Sequence, residues 1–296
     1  MSYTMWILVT ASLVGITCGI IGVFLILRKM AMMADAISHT VLLGIVVAYL
    51  LTHNLSGIHM LIGAAIAGVF TTYLVQWFHS RGVAGDASIG VVFTTLFALG
   101  VVLIATKVGN AHLDVQHALM GEIAFIPWNT VEVPLLGEIP LATLMLMVVL
   151  VVVVIVIGAF YKEWKLTTFD PLLAASIGIP VLAMHYLFMT LVSLTTVAAF
   201  DTVGAIMVVA MLITPAASAN LWTDKLLVML LLSAFFGVLS AITGYYFALW
   251  LDTSISGSMA FATGITFFIS YLFSPRHGLL SSWIRPSSGK KFHLDN

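Results

Sequence analysis

Long apolar stretches without charge alternate with short polar joints along most of the chain. The clearest runs from Leu141 to Phe160, twenty residues without a charged side chain; as a helix it rises about 30 Å, the thickness of a bilayer's hydrocarbon core. The same pattern places spans at roughly 5–27, 31–50, 58–77, 87–106, 141–160, 180–200, 202–221, 226–250 and 259–274. This predicts an all-α, polytopic membrane protein with about nine transmembrane helices, forming one domain over residues 1–296. Barrel strands are about half as long and alternate with period two, which these runs do not. Gly15, Gly19 and Gly22, with Gly63, Ala64, Ala67 and Gly68, are small residues at helical spacing that let neighbouring helices approach closely.

Two joints do not fit a simple up-and-down pattern. From Ile179 to Thr214 there are 36 residues, fewer than two full crossings and a turn need. Either the return helix continues through Pro215, or the turn carrying Asp201 dips below the outer surface and Asp201 opens the seventh span. Thr214 before Pro215 reads as a helix N-cap followed by proline at the first helical position, which favours a break and a new short helix over 215–225. One continuous span with a proline inside it is the alternative. Asp170 before Pro171 repeats the same start signal, and predicts a short helix near 170–178 at the membrane surface.

Composition agrees with lipid as the main solvent: of 296 residues 61% are hydrophobic and 8% charged, and the mean hydropathy is +1.15. The net charge of −1 leaves no basic stripe for nucleic acid. Positive charge instead sets an orientation. With the amino terminus outside, Arg28, Lys29, Arg81, Lys162, Lys165, Lys225, Arg276, Arg285, Lys290 and Lys291 lie on the cytoplasmic side, and of the 11 basic residues only Lys107 lies outside. The carboxyl terminus is then cytoplasmic. Trp77, Trp164, Trp222 and Trp283 fall near the inner interface and Trp6, Trp128 and Trp250 near the outer one. The single cysteine, Cys18, reads as a small buried residue.

Candidate chemistry lies in the few polar side chains inside the spans. Asp35 and His39 stand four apart, on one face of the second span. A carboxylate in hydrocarbon costs roughly 2.5 to 3.5 kcal/mol on insertion scales, so it faces protein or a watery path. A carboxylate and an imidazole one turn apart offer oxygen and nitrogen to one ion, a set suited to manganese, iron or zinc. Spacing alone leaves a second reading open, with Asp35 in an interfacial first turn and His39 as a packing residue. Two ligands do not close a site, and Asp201 is the expected third. Outside, His112, Asp114, His117 and Glu122 form a polar segment in which Asp114 and His117 share a helical face, a metal entrance or simply polar surface. His53 and His59 read as interfacial, and His185 as a packing residue near the inner end of the sixth span.

No zinc-protease, nucleophile-elbow or phosphate-loop motif is present; Ser288-Gly289-Lys290 lacks the upstream glycine and the preceding strand. The chain therefore has no catalytic site of its own. Any ATP hydrolysis belongs to a separate subunit.

Several blocks in order carry a family resemblance: Leu27 to His39, Gly90 to Gly100, Asp114 to Glu122, Phe160 to Glu163 with Phe169-Asp170-Pro171, Val203 to Ala205 running into Leu212 to Ala217, and Phe273 to Gly278. Together they resemble bacterial manganese/zinc/iron ABC-transporter permeases over nearly the whole chain, and look most like the manganese members. The resemblance implies a metal importer in the bacterial cell membrane, with two permease subunits (a second copy or a paralogue), two cytoplasmic ABC ATPases and an extracellular metal-binding protein or lipoprotein. It implies that the ion passes Asp35 and His39, and that Pro215, Ala216, Ala217, Ser218, Asn220, Asp224 and Lys225 form the ATPase-coupling segment. No permanent cofactor is expected; Mn2+ is transported, with Zn2+ or Fe2+ as alternatives. A secondary cation/proton transporter, with Asp35 and Asp201 as proton carriers, is the rival within transport.

Overall fold

The computed structural model describes residues 3–53, 57–107, 123–133, 137–275 and Gly278. Eleven α-helices are present among them: α1 (Tyr3–Leu27), α2 (Ala31–Thr52), α3 (Gly57–Ser80), α4 (Gly85–Lys107), α5 (Leu141–Ala159), α6 (Tyr161–Phe169), α7 (Pro171–Ser176), α8 (Val181–Val203), α9 (Ala205–Trp222), α10 (Leu226–Leu251) and α11 (Ile255–Phe273). Six or nine residues are too few for α7 and α6 to cross a bilayer. Of the others, seven (α1, α2, α4, α5, α8, α10 and α11) are long and apolar enough to do so, and α9 contains a shorter apolar stretch, Met207–Trp222. The fold is all-α and polytopic, as the apolar pattern predicts. It adds one feature that pattern did not contain: between α4 and α5 a short 3-10 helix (Ile123–Trp128) leads into an antiparallel hairpin, β1 (Thr130–Val133) with β2 (Gly137–Pro140).

Helix α1 is apolar on all sides and lies at the centre of the bundle. Ala11, Val14, Cys18, Ile21 and Phe24 are completely buried, and α1 packs on α5, α8, α9 and α10. Its three glycines make this possible. A Cβ on Gly15 would stand 2.6 Å from the Gly237 carbonyl carbon of α10, and one on Gly22 only 1.7 Å from the Leu212 carbonyl oxygen of α9. At Gly19 the close approach also makes a hydrogen bond, from Ser233 Oγ to the Gly19 carbonyl at 2.8 Å. Between α2 and α3, Gly44 and Gly63 meet in the same way, and Gly68 of α3 admits the hydroxyl of Ser193 from α8. Thr71 Oγ1 donates to Thr40 Oγ1 at 2.9 Å across this contact. Helices in lipid gain little from hydrophobic burial against each other, so contact area and such buried hydrogen bonds hold the bundle together.

Helices α8 and α9 correct two expectations. No break occurs at Thr214: α9 runs unbroken from Ala205 to Trp222 with Pro215 inside it, so 215–225 is not a separate short helix. Proline removes one N–H, leaving the Met211 carbonyl without its usual donor, but Pro215, Met211 and Ala216 are all buried and the packing of both flanks holds the helix through that loss. The interruption falls instead at Gly204, a one-residue joint with φ of 80° that favours glycine. Asp201 consequently sits in the last turn of α8 rather than opening the next span. A one-residue joint and a return helix extending eight residues past Thr214 explain how 36 residues suffice.

The short helix at 170–178 is present as α7, with Asp170 at its N-cap accepting a hydrogen bond from the Leu173 amide at 2.9 Å. With α6 it forms an elbow fastened to the bundle by Arg28. The Arg28 guanidinium donates to Thr168 Oγ1 at 3.1 Å and Thr167 Oγ1 at 3.0 Å, and lies 4.9 Å from the Phe188 ring centre and 5.4 Å from that of Trp164. Trp164 is fully buried, donating its indole N–H to the Val156 carbonyl, and Phe24 completes an aromatic cluster around the cation. Burial pushes the Arg28 pKa down to about 10, still far enough above neutrality to keep it charged. Ring faces and hydroxyls serve it, and no carboxylate does among the described residues. Arg28→Ala should therefore cost about 2–4 kcal/mol from two hydrogen bonds and two ring contacts. Thermal unfolding in detergent tests this. Arg28→Lys should recover only part of the loss, because an ammonium lacks the planar fork that spans adjacent hydroxyls; an Arg28→Ala protein melting with the parent would refute the clamp.

Candidate metal site

Three residues beyond the Arg28 end of α1, helix α2 begins at Ala31 and presents Asp35 and His39 one turn apart. Its opposite face is packed inside the bundle: Ala34, Ala36, Ile37 and Thr40 are completely buried. Asp35 and His39 are about one third exposed, 35% and 33%, as is expected of polar groups directed out of one bundle towards a path or a partner. The imidazole Nε2 stands 3.5 Å from a carboxylate oxygen of Asp35. Two donors each about 2.1 Å from a common ion at tetrahedral angles stand roughly 3.4 Å apart, so the pair is spaced to share one ion. Met32, 56% exposed, adjoins the pair on the same face.

Two aromatic side chains of α4 fix the imidazole. Phe93 stacks on His39 with ring centres 5.7 Å apart and planes 26° apart, and Phe97 meets it edge-on at 5.6 Å and 72°. Neither was singled out by its chemistry in the sequence. Their i, i+4 spacing in the Gly90–Gly100 block is the one signal that both face the same neighbour. Aromatic walls also shield one side of the pair from water, and electrostatic interactions are stronger where water is excluded.

The other candidates divide by position. Asp201 belongs to α8 by its backbone, and its side chain lies outside the described part of the structure. His112, Asp114, His117 and Glu122 all lie outside the described residues. Among the described residues no group of three metal-ligating side chains comes together, and the Asp35–His39 pair stands by itself there. His53 caps α2 in the left-handed conformation, with its ring against Tyr49; His59 is exposed on α3; His185 lies edge-on to Tyr186. In the segment expected to couple to an ATPase, Pro215, Ala216 and Ser218 are buried, Ala217 is half-buried, and Asn220, Asp224 and Lys225 are exposed at the end of α9 and in the joint to α10.

Comparison with known proteins agrees with this architecture. Over residues 1–274 the chain matches the model of the ABC 3 transport family. It is 56% identical over 291 residues to the manganese transport system membrane protein MntD of Bacillus subtilis, covering 98% of this chain and 99% of that protein. It is 41% identical over 278 residues to the zinc transport system membrane protein TroD of Treponema pallidum, covering 94% of this chain and 76% of that one. Among solved structures, PsaBC from Streptococcus pneumoniae in complex with Fab superimposes with a TM-score of 0.80 at 32% identity, covering 96% of each chain. With a helical membrane bundle, a carboxylate–imidazole pair on its second helix and these relatives, the chain belongs to the ABC 3 transport family.

Proposed function

We propose that this chain is the permease subunit of an ATP-driven importer of divalent metal ions, with manganese as its physiological substrate. The observation that carries the reading is the Asp35–His39 pair, two donors 3.5 Å apart on an outward face of α2. Manganese is favoured by the carboxylate in the set and by relatives named for manganese transport, including MntD at 56% identity. In this reading the amino terminus is outside and a metal-binding protein docks there, near 107–140. The ion then meets Asp35 and His39, joined by Asp201. A second permease subunit facing the same stripe of α2 supplies further ligands.

The chain binds and guides the ion; a cytoplasmic ABC ATPase supplies the work through the exposed joint at Asn220, Asp224 and Lys225. Uptake of radioactive manganese, followed with the co-purifying ATPase intact and inactivated, tests the reading. Inactivation is expected to stop uptake. Uptake that continues on a proton gradient alone would identify a secondary transporter instead. Reversing the charge at the joint, Lys225→Glu, should lower the amount of ATPase recovered with the chain about tenfold, equivalent to about 1.4 kcal/mol, while manganese binding to the chain is unchanged.

A further inference from the structure

The outer side of α3 carries one stripe that runs to the end of the helix at Ser80. Ile66, Phe70, Tyr73 and Trp77 follow one another at spacings of three and four and are 64%, 48%, 52% and 44% exposed. Arg81 is the next step of the stripe, just past the helix end, and its guanidinium carbon lies 5.5 Å from the centre of the Trp77 ring. Among the described residues the one acidic side chain paired with a basic one is Asp35, with His39, so Arg81 has no carboxylate there. Beside the stripe, α3 and α8 leave a groove of about 600 Å³. The two helices touch where Gly68 admits Ser193, whose hydroxyl donates to the Ala65 carbonyl at 3.2 Å. Next to that contact the groove runs between Val69, Phe70 and Tyr73 of α3 and Tyr186 and Thr190 of α8. Thr190 turns its hydroxyl to the Tyr186 carbonyl at 2.8 Å, within its own helix, which leaves the two phenols as the polar groups of an otherwise apolar lining. Tyr73 stands seven residues before the end of α3 and Tyr186 five after the start of α8, about 10 and 8 Å along the helix axes, so both rings lie near the Arg81 end of the bundle.

We propose that this groove holds an acyl chain of an anionic phospholipid from the leaflet at the Arg81 end, with Arg81 on the headgroup phosphate and Tyr73 and Tyr186 at the level of the esters. Polarity along the stripe matches that occupant in order: apolar walls for the chain, two phenols where tail meets headgroup, and a cation beyond them. A tyrosine suits the boundary because its ring is apolar and its hydroxyl is wet. A guanidinium suits the phosphate because its N–H groups bind two oxygens at once. An apolar ligand without charge would use the walls but not Arg81, and a free phosphate would use Arg81 but not the walls. The bound chain wedges between α3 and α8 and braces α3, whose other side meets α2 at Gly44 and Gly63. The inference rests on the groove and stripe alone and does not depend on which metal is carried.

Phosphatidylglycerol retained by the full chain in detergent, measured by native mass spectrometry, provides the test. Arg81→Gln should weaken retention about fivefold, and Arg81→Lys should preserve most of it. Thr190→Trp fills the groove from its wall and should weaken retention about tenfold, as the exclusion of two methylenes would. Arg81 and Thr190 are both exposed, so neither change should disturb folding, and each variant should melt with the parent. Glycerol 3-phosphate, which carries the phosphate without a chain, should leave the bound lipid in place. Retention by Thr190→Trp equal to that of the parent would overturn the proposal, and so would equal retention by Arg81→Gln. Displacement of the lipid by glycerol 3-phosphate would overturn it as well, since the site would then hold phosphate alone.

Discussion

Manganese uptake by cells carrying Asp35→Ala is expected to fall about 100-fold at unchanged protein level, and with His39→Ala about 10-fold, losses of about 2.7 and 1.4 kcal/mol. The order follows from charge. Removing Asp35 takes away an oxygen ligand and also the negative charge that offsets a dication leaving water, whereas removing His39 takes away a neutral donor. Asp35→Asn separates the two effects: it keeps an oxygen in place but not the charge, so uptake should stay close to that of Asp35→Ala. His39 has a second dependence, because its ring is held by Phe93 and Phe97 at 5.7 and 5.6 Å. Opening that wall with Phe93→Ala should weaken uptake several-fold without touching a ligand. Normal uptake by the Asp35→Ala cells would end the assignment of this pair to the ion's path.

Gly22→Val should be the most damaging substitution to the fold itself. The added Cβ would stand 1.7 Å from the Leu212 carbonyl oxygen, a backbone atom that cannot rotate aside, so α1 and α9 would have to separate. Overpacking ordinarily costs about 1–3 kcal/mol, and a clash with backbone at the centre of the bundle belongs at or above the top of that range. The expected result is loss of monodisperse protein on fluorescence-detected size exclusion. Gly90→Ala is the matched control, because nothing lies within 4 Å of the Cβ it would add, and it should behave as the parent. A Gly22→Val protein as stable as the Gly90→Ala control would show that α1 and α9 do not pack as described.

The pair on α2 was legible in the sequence because its geometry is local. Four residues of helix bring Asp35 and His39 together whatever surrounds them, and their rarity in an apolar span marks them. The aromatic wall was not legible in the same way, since Phe93 and Phe97 look like any other lipid-facing phenylalanines until α4 is seen beside α2. Pro215 misled for a related reason. The Thr214-Pro215 signal describes what an isolated chain prefers, and in the bundle the packing of α9 on α1, α10 and α11 outweighs one missing hydrogen bond. Asp201 was placed by the shortness of its segment, correctly near a sharp joint; only the structure locates that joint at Gly204.

By itself the sequence determined the all-α membrane fold, nearly all the span positions and the pairing of Asp35 with His39, since each depends on apolar length or on spacing within one helix. Tertiary structure alone decided the continuity of α9, the contacts of Gly15 and Gly22 with the backbones of α10 and α9, and the caging of Arg28 by Trp164 and Phe188. Each of these joins residues far apart along the chain, and in lipid, where hydropathy no longer distinguishes one helix neighbour from another, close packing and buried hydrogen bonds choose the partners.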